Sequence, residues 1–592
     1  MKILLVAINA KYIHSNPAVY SLKACTGEYE SHVDIVEFTI NQQPSFILRE
    51  IYKKNPDVIA FSCYIWNYNL IDSIIPDLHN ILPDVDIWVG GPEVSYDASE
   101  VINRWQLRGV MIGPGEGVFH HLVSSYVQNT SDELPNILDG NSTHKLSLDE
   151  IPFWYKDLTD FEHRIIYYES SRGCPFSCSY CISAIDKTMD FRSVERVCRE
   201  LDFFLEQKVL QVKFVDRTFN CNKDHALPIL QYILEHDNGI TNFHFEIAAD
   251  LLDEDYFELF KKLRPGAVQL EIGVQSTFEK TIDEIDRKMD FEKVAVAVER
   301  IIEQDNIHVH LDLIAGLPFE DLKTFQKSFN DVYALNPEQL QLGFLKVLKG
   351  SDMEKRADEY ELKYTNLPPY EVLSTKWLPY EDVCHLKGIE EVFEIYYNSG
   401  QFHNALDYLC SYFDTPYDMY DFIASWYEEH DLFGVQSSRA QKYGILLECG
   451  TAYITSYLEK QKDESGWSVA IFNKLLSERA AAKEMSVCNF VTAFFKECLT
   501  MDLYLRENMK NRPVFCSSLE RWKSDIHDIL YEESQTHALF PALSDCSYRD
   551  LTKNLHVEVF EYIFDKPTAL IYHYEERSPL TKNCRVQYVP VE

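Results

Sequence analysis

Two successive stretches of strand–helix alternation and a long amphipathic segment predict an α/β chain in three parts. These are an N-terminal doubly wound parallel-sheet domain, a partial (β/α)6 barrel, and a mainly helical C-terminal domain with a short strand-rich tail. Short apolar runs separated by helix-like sequence fall first at Ile3–Ala7, Val33–Phe38, Val58–Phe61, Ile87–Val89 and Gly109–Ile112. Six more follow at Ile165–Glu169, Gln211–Val215, His244–Ile247, Gln269–Val274, His308–Ile314 and Gln339–Val347. Beyond residue 376 the pattern lengthens to helical stretches at Glu381–Asn398, Ala405–Cys410, Pro416–Glu429, Arg439–Lys460 and Ala481–Met509. Strand-like Val557–Ile563, Thr568–Tyr574 and Arg585–Val589 close the sequence. The expected domains are 1–135, 164–375 and 376–592, with 136–163 as a linker that follows Pro135 and carries Gly140 and Pro152.

Composition narrows the class. At 592 residues with 46% apolar content, the chain can bury several cores. No run approaches the roughly 20 apolar residues of a membrane span, and the opening MKILLVAINAKYIH is too short an apolar stretch for a secretion signal. Fifteen scattered cysteines suit a reducing compartment, so the cytoplasm is expected. Lysine and arginine number 56 against 94 acidic residues, a net charge of -38, which disfavours a nucleic-acid partner. Tyrosines and phenylalanines at apolar positions of the C-terminal helices read as core packing.

Open parallel sheets bind ligands beyond the carboxyl ends of their strands. Turn residues gather there: Gly90-Gly91-Pro92-Glu93 after the fourth strand and Gly113-Pro114-Gly115-Glu116-Gly117 after the fifth. Glycine at such ends lets backbone approach a bound group. After the first strand comes Asn9-Ala10-Lys11-Tyr12-Ile13-His14 and not the G-x-G-x-x-G of a dinucleotide site, so nicotinamide is disfavoured.

The strongest local signal is Cys174-Pro-Phe-Ser-Cys178-Ser-Tyr-Cys181. An iron–sulfur cube normally takes four thiolates, so three on one loop can hold three irons and leave the fourth open. A zinc or disulfide loop is the alternative. Zinc would want a fourth Cys or His, and the next candidates, Cys198 and Cys221, lie in sequence that reads as helix and strand end.

This C-x3-C-x2-C loop, directly after the first barrel strand, resembles the radical S-adenosylmethionine (SAM) superfamily. There, Cys174, Cys178 and Cys181 would be the catalytic residues and the ligands of a 4Fe-4S cluster whose open iron is chelated by SAM. The resemblance continues strand by strand. Tyr180 takes the aromatic position that meets adenine. Gly273-Val274-Gln275-Ser276 is similar to the family's G-V-Q-S turn, placing Gln275 and Ser276 on SAM. Asp312-Leu313-Ile314-Ala315-Gly316-Leu317-Pro318 is similar to D-L-I-x-G-L-P, which brings Asp312 and Gly316 to the adenine. Asp216 and Arg217 end the second strand, where the family puts acidic or polar groups near the SAM amine; a structural ion pair is the equal alternative. Glu246, on the third strand, would meet the ribose.

The leading strand, VGGPEVS and IGPGEG together resemble the cobalamin (B12)-binding domain at the front of one large radical SAM class. On that resemblance Gly90, Gly91, Gly113 and Gly115 would surround cobalamin. The D-x-H-x-x-G signature that gives histidine to cobalt is missing; His79 reads as a surface histidine. His14, after the first strand, could approach the cobalt, with a loop hydrogen bond as the alternative. Only Cys25 and Cys63 precede Cys174, too few for the second cluster of a methylthiotransferase. Cys63 reads as a buried strand-end thiol beside the corrin. The C-terminal segment resembles an uncharacterised domain, DUF4080-like, that accompanies some of these proteins.

The resemblance implies an enzyme that cleaves SAM to a 5′-deoxyadenosyl radical and, with cobalamin, methylates an unactivated carbon of an unknown substrate. Ring rearrangement, oxidative cyclisation or simple hydrogen abstraction, with or without cobalamin, is the alternative; a non-catalytic corrinoid or iron–sulfur sensor is a further one. Expected partners are a small-molecule or peptide substrate and an electron donor such as flavodoxin or ferredoxin.

Overall fold

The computed structural model describes residues 1–185, 187–461 and 476–591. It divides into two compact units, Met1–Ser328 with Gln341–Val383, and Phe329–Leu340 with Cys384–Glu592.

The first unit opens with six parallel strands, β1 (Ile3–Asn9), β2 (Val33–Thr39), β3 (Val58–Ser62), β4 (Asp86–Gly90), β5 (Gly109–Ile112) and β6 (Ile137–Asp139), in the order β2-β1-β3-β4-β5-β6. β1 is buried along its whole length, which explains the unbroken run ILLVAIN. Alternation sends Leu4, Val6 and Ile8 into the core on one side of the sheet and Ile3, Leu5 and Ala7 into the core on the other. β6 corrects the expectation for 136–163. Val110 pairs with Ile137 and Ile112 with Asp139, so the expected linker extends the sheet by a strand of three residues. Three residues are too few to show a period in sequence.

The second sheet of this unit holds β7 (Ile166–Tyr168), β8 (Gln211–Phe214), β9 (Asn242–Ile247), β10 (Val268–Gln275), β11 (His308–Ala315) and β12 (Gln339–Phe344), ordered β12-β11-β10-β9-β8-β7. Strand neighbours follow chain order, as expected for an open barrel built from strand–helix repeats. Along β10, Leu270, Ile272 and Val274 are fully buried while Glu271, Gly273 and Gln275 lie on the opposite, cavity-facing side. Polar residues at alternate positions therefore turn that face into a binding surface.

Several contacts seat the front sheet on the barrel. The backbone of Ile165 donates to Ile13 (2.8 Å), and Arg164 pairs with Glu37 (2.7 Å). Lys349 reaches Asp97 (2.8 Å) and Glu93 (3.4 Å), and the Tyr370 hydroxyl donates to the same Glu93.

In the second unit, helices His403–Cys410, Pro416–Glu429, Arg439–Gln461 and Val487–Arg506 enclose an aromatic core. Phe329 and Tyr333 pack against Phe393 and Tyr420, and Tyr396, Tyr417, Tyr420 and Tyr443 are fully buried. Two buried carboxylates end open backbone runs. Asp502 accepts from the amides of Asn404 and Ala405 at the start of the first of these helices, and Glu497 from those of Glu561, Tyr562 and Ile563. The tail is an antiparallel sheet of β13 (Leu555–Phe560), β14 (Thr568–Arg577) and β15 (Cys584–Pro590). No helix of the described residues is long and apolar enough to cross a membrane.

Candidate active site

Cys174, Cys178 and Cys181 line one cavity of about 210 Å³ at the carboxyl ends of the barrel strands. Tyr180, Arg217, Glu246, Gln275 and Asp312 share its walls. All fifteen cysteines are free thiols, which removes the disulfide alternative for this loop. Among the described residues, the one group of three Cys, His, Asp or Glu donors compact enough for a single ion is Glu271, His310 and Asp312. The three thiols are spread too widely for one zinc ion, and no fourth Cys or His lines their cavity.

The loop is fixed from both sides. Asp216, fully buried, accepts from the Ser170 amide (2.9 Å), the Ser170 hydroxyl (2.6 Å) and the Ser171 hydroxyl, tying down the segment that enters the cysteines. Burial pushes its carboxyl up to about 6 against those hydrogen bonds. On the other side, Arg287 donates to the Cys178 sulfur (3.7 Å), to the Tyr180 hydroxyl (3.2 Å) and to the Gly273 carbonyl. Nothing local in the sequence marks Arg287; it lies in an irregular stretch after helix Glu279–Glu284 and reaches the cysteine loop only in the folded chain. Thr218, whose hydroxyl lies 3.7 Å from Cys174, was likewise not legible.

Gln275 sits at a bulge where the β10–β11 register shifts, with φ 72°. A Cβ on Gly273 would fall 2.2 Å from the Gln275 amide nitrogen, so a larger residue there would displace the Gln275 side chain. The bulge leaves Gln275 Oε1 buried without a hydrogen-bond partner. Asp312 is half-buried, 3.1 Å from His310, while Glu271 pairs with His244 (2.9 Å) and Lys213 (3.1 Å). Burial, then the charge of Glu271, raises Glu246 to about 7.

Four expectations need correction. Asp216 does not reach the cavity, because its oxygens are consumed by Ser170 and Ser171. Ser276, also fully buried, points away and donates to Glu320 (2.6 Å). Gly316 packs against Val372 instead of lining the cavity; a Cβ there would come 2.9 Å from Val372 Cγ1. His14 faces the barrel, its Nδ1 2.6 Å from the Tyr167 hydroxyl.

A second cavity, about 660 Å³, opens beyond the carboxyl ends of the front sheet. Gly90, Gly91, Gly113 and Gly115 are on its wall, with Tyr64, Met111 and Asn141. Ile182, Ser183 and Arg217 close it from the barrel side, and Ser183 and Arg217 also line the cysteine cavity. Cys63 is fully buried, as expected of a strand-end thiol, but stands behind Ser62 and Tyr64 and off this wall. Its backbone explains Gly91: at φ 116°, a Cβ would lie 2.4 Å from the Cys63 carbonyl oxygen.

Family comparisons coincide with these parts. The B12 binding domain matches residues 3–123, the Radical SAM superfamily 168–332, and a protein family of unknown function, DUF4080, 358–577. The chain carries a B12-binding domain ahead of a radical SAM domain. Its radical SAM domain holds the cysteine cavity and its B12-binding domain the glycine-walled one. It is 23% identical over 373 residues to the cobalamin-dependent radical SAM methyltransferase TokK of Streptomyces tokunonensis, covering 54% of this chain and 52% of that protein. The chain spans about half the length of the first curated relatives it matches. Among solved structures, the cobalamin-dependent SAM radical enzyme OxsB with aqua-cobalamin and SAM superposes with a TM-score of 0.55 at 13% identity, covering 88% of this chain and 84% of that one. The radical SAM methyltransferase TsrM of Kitasatospora setae gives 0.52 at 15%, covering 62% and 79%.

The cofactors of the two domains are a 4Fe-4S cluster with SAM, and cobalamin. The residues present fit them. Three free thiols share a cavity whose described lining has no fourth cysteine and no histidine, the orphaned Gln275 Oε1 beside them is an acceptor in want of a donor, and the larger cavity has a glycine-turn wall at the strand ends.

Proposed function

We propose that the chain is a cobalamin-dependent radical SAM enzyme that methylates an unactivated carbon of a substrate held where its two cavities meet. The observation that carries this reading is the shared wall: Ser183 and Arg217 line both the cysteine cavity and the glycine-walled cavity. When bound, the cluster and SAM supply a radical able to remove hydrogen from carbon, and cobalamin supplies a transferable methyl group.

The chain's own residues bind, orient and exclude water. Cys174, Cys178 and Cys181 would hold the cluster, with Arg287 buttressing Cys178 and Tyr180. Tyr180, Glu246, Gln275 and Asp312 would hold SAM, and the unpartnered Gln275 Oε1 would accept from its ammonium or ribose. Gly90, Gly91, Gly113 and Gly115 would bring backbone up to cobalamin. Among the described residues no histidine lines the larger cavity; its wall offers backbone, apolar groups and polar side chains that include Tyr64, Asn141, Ser183 and Arg217. A flavodoxin or ferredoxin would deliver the electron, and the cytoplasm would be the compartment.

The test is anaerobic purification from cobalamin-fed cells, with a visible spectrum and iron and sulfide analysis, then incubation with SAM and reductant. About one corrinoid and about four irons per chain, with both 5′-deoxyadenosine and S-adenosylhomocysteine formed, is the expected result. Four irons and 5′-deoxyadenosine without corrinoid or S-adenosylhomocysteine would replace methyl transfer with simple hydrogen abstraction.

A further inference from the structure

Arg217 stands at the boundary of the two cavities and lines both. It is exposed, and among the described residues its guanidinium has no hydrogen bond or ion pair. The chain carries 94 acidic residues against 56 basic ones, so carboxylates are abundant. Neighbouring cations are engaged: Arg172 with Glu116 and Glu169, Lys213 with Glu271, Arg287 with Cys178 and Gly273. Lys288 is also without a partner but faces the cysteine cavity alone.

An arginine keeps its charge at any working pH and offers a planar fork that matches the two oxygens of a carboxylate or phosphate. A ligand that covers it has to bring an anion, because taking this charge out of water unpaired is costly. Glu246 is the nearby candidate to neutralise it, but burial and Glu271 raise that carboxyl to about 7, and it forms no ion pair with Arg217. The cation thus waits for a group that arrives with a ligand.

We propose that Arg217 is a specificity-determining residue that anchors an oxyanion of the substrate, so that the substrate class is a carboxylate- or phosphate-bearing molecule. The proposal rests on the two-cofactor reading above, because the anchored group would lie on the wall that the two cavities share. Ser183, on the same shared wall, supplies a hydroxyl donor for the second oxygen.

The experiment is arginine-selective labelling with phenylglyoxal, read by peptide mapping, on anaerobically reconstituted protein with and without SAM and hydroxocobalamin and with no reductant. The expected result is that Arg217 stays reactive with both cofactors bound and that its labelling slows several-fold on adding inorganic phosphate or malonate; the more protective probe separates phosphate from carboxylate. The same probe should raise the melting temperature of the native protein and not of Arg217→Gln. Protection by SAM alone would make Arg217 the anchor of the SAM carboxylate, and protection by cobalamin alone a cofactor contact; either overturns the proposal. So does labelling that neither anion slows. The visible spectrum reports corrinoid separately: if none binds, the two-cofactor reading falls, while labelling of the SAM-loaded protein still decides whether Arg217 takes an external oxyanion.

Discussion

Arg172, two residues ahead of Cys174, donates to Glu116 through both terminal nitrogens, at 3.1 and 2.7 Å, and holds Glu169 with Nε and Nη2 at 2.9 and 2.7 Å. Glu116 opens the helix Glu116–Val127 that follows the turn after β5, so one guanidinium joins the segment entering the cysteine loop to the wall of the larger cavity. Burial works against the Glu116 carboxyl, yet the charge and hydrogen bonds of Arg172 outweigh it and hold the group below its ordinary value.

Glu116→Gln should therefore destabilise the first unit by about 3 kcal/mol at neutral pH, the lower range for removing one partner of a mostly buried pair. A carboxyl lowered by folding contributes stability above its ordinary value of 4.5 and loses it as pH falls through the folded value. The gap between wild type and variant in urea unfolding should accordingly narrow below that pH. A constant gap would mean that the pair is not the source.

Gly90 and Gly91 adjoin in sequence but should differ on substitution. A Cβ on Gly91 meets the Cys63 carbonyl at 2.4 Å in a backbone conformation with φ 116°, whereas one on Gly90 stands 3.3 Å from the Met111 carbonyl. Gly91→Ala is expected to cost at least about 1–3 kcal/mol and to lose corrinoid with stability. Gly90→Ala asks the Met111 carbonyl to give by only a few tenths of an ångström and should melt above Gly91→Ala, and thermal melts beside visible spectra will tell them apart.

Glu320 gives a pH signature inside the barrel. Its carboxyl accepts from Ser276 and Ser328 but is fully buried, and burial raises it to about 8. An acid raised by folding binds its proton more tightly in the folded state, so stability declines as pH climbs from about 4.5 to about 8. Glu320→Gln keeps the acceptor and removes the titration. Its stability relative to wild type should rise between pH 5 and pH 8; parallel pH profiles would refute this.

Replacing Arg287 with alanine strips donors from Cys178, Tyr180 and Gly273 at once. Hydrogen bonds to charged groups are worth about 1.5–3 kcal/mol each, so the variant should retain less iron after anaerobic reconstitution while Arg287→Lys recovers part of it. Equal iron in all three proteins would reduce Arg287 to packing.

Much of the fold was legible because strand and helix periods differ. β1 could be read from ILLVAIN since a strand buried on both faces is apolar throughout, and the cysteine loop because three thiols at fixed spacing have few other uses. β6 escaped notice because three residues show no period. Asp216 and Ser276 carried the right chemistry at strand ends, yet neighbours distant in sequence, Ser170 and Glu320, took their oxygens.

The sequence by itself determined the order of the domains, the three-cysteine loop and the glycine turns, all set by local spacing and backbone freedom. Only the tertiary structure decided that Arg287 supports Cys178, that His14 turns to Tyr167, and that Arg172 pairs with Glu116 while Arg217 stays free between two cavities. The physical reason is that hydrogen bonds and ion pairs are settled by which groups burial brings within a few ångströms, and strands far apart in the chain make those meetings.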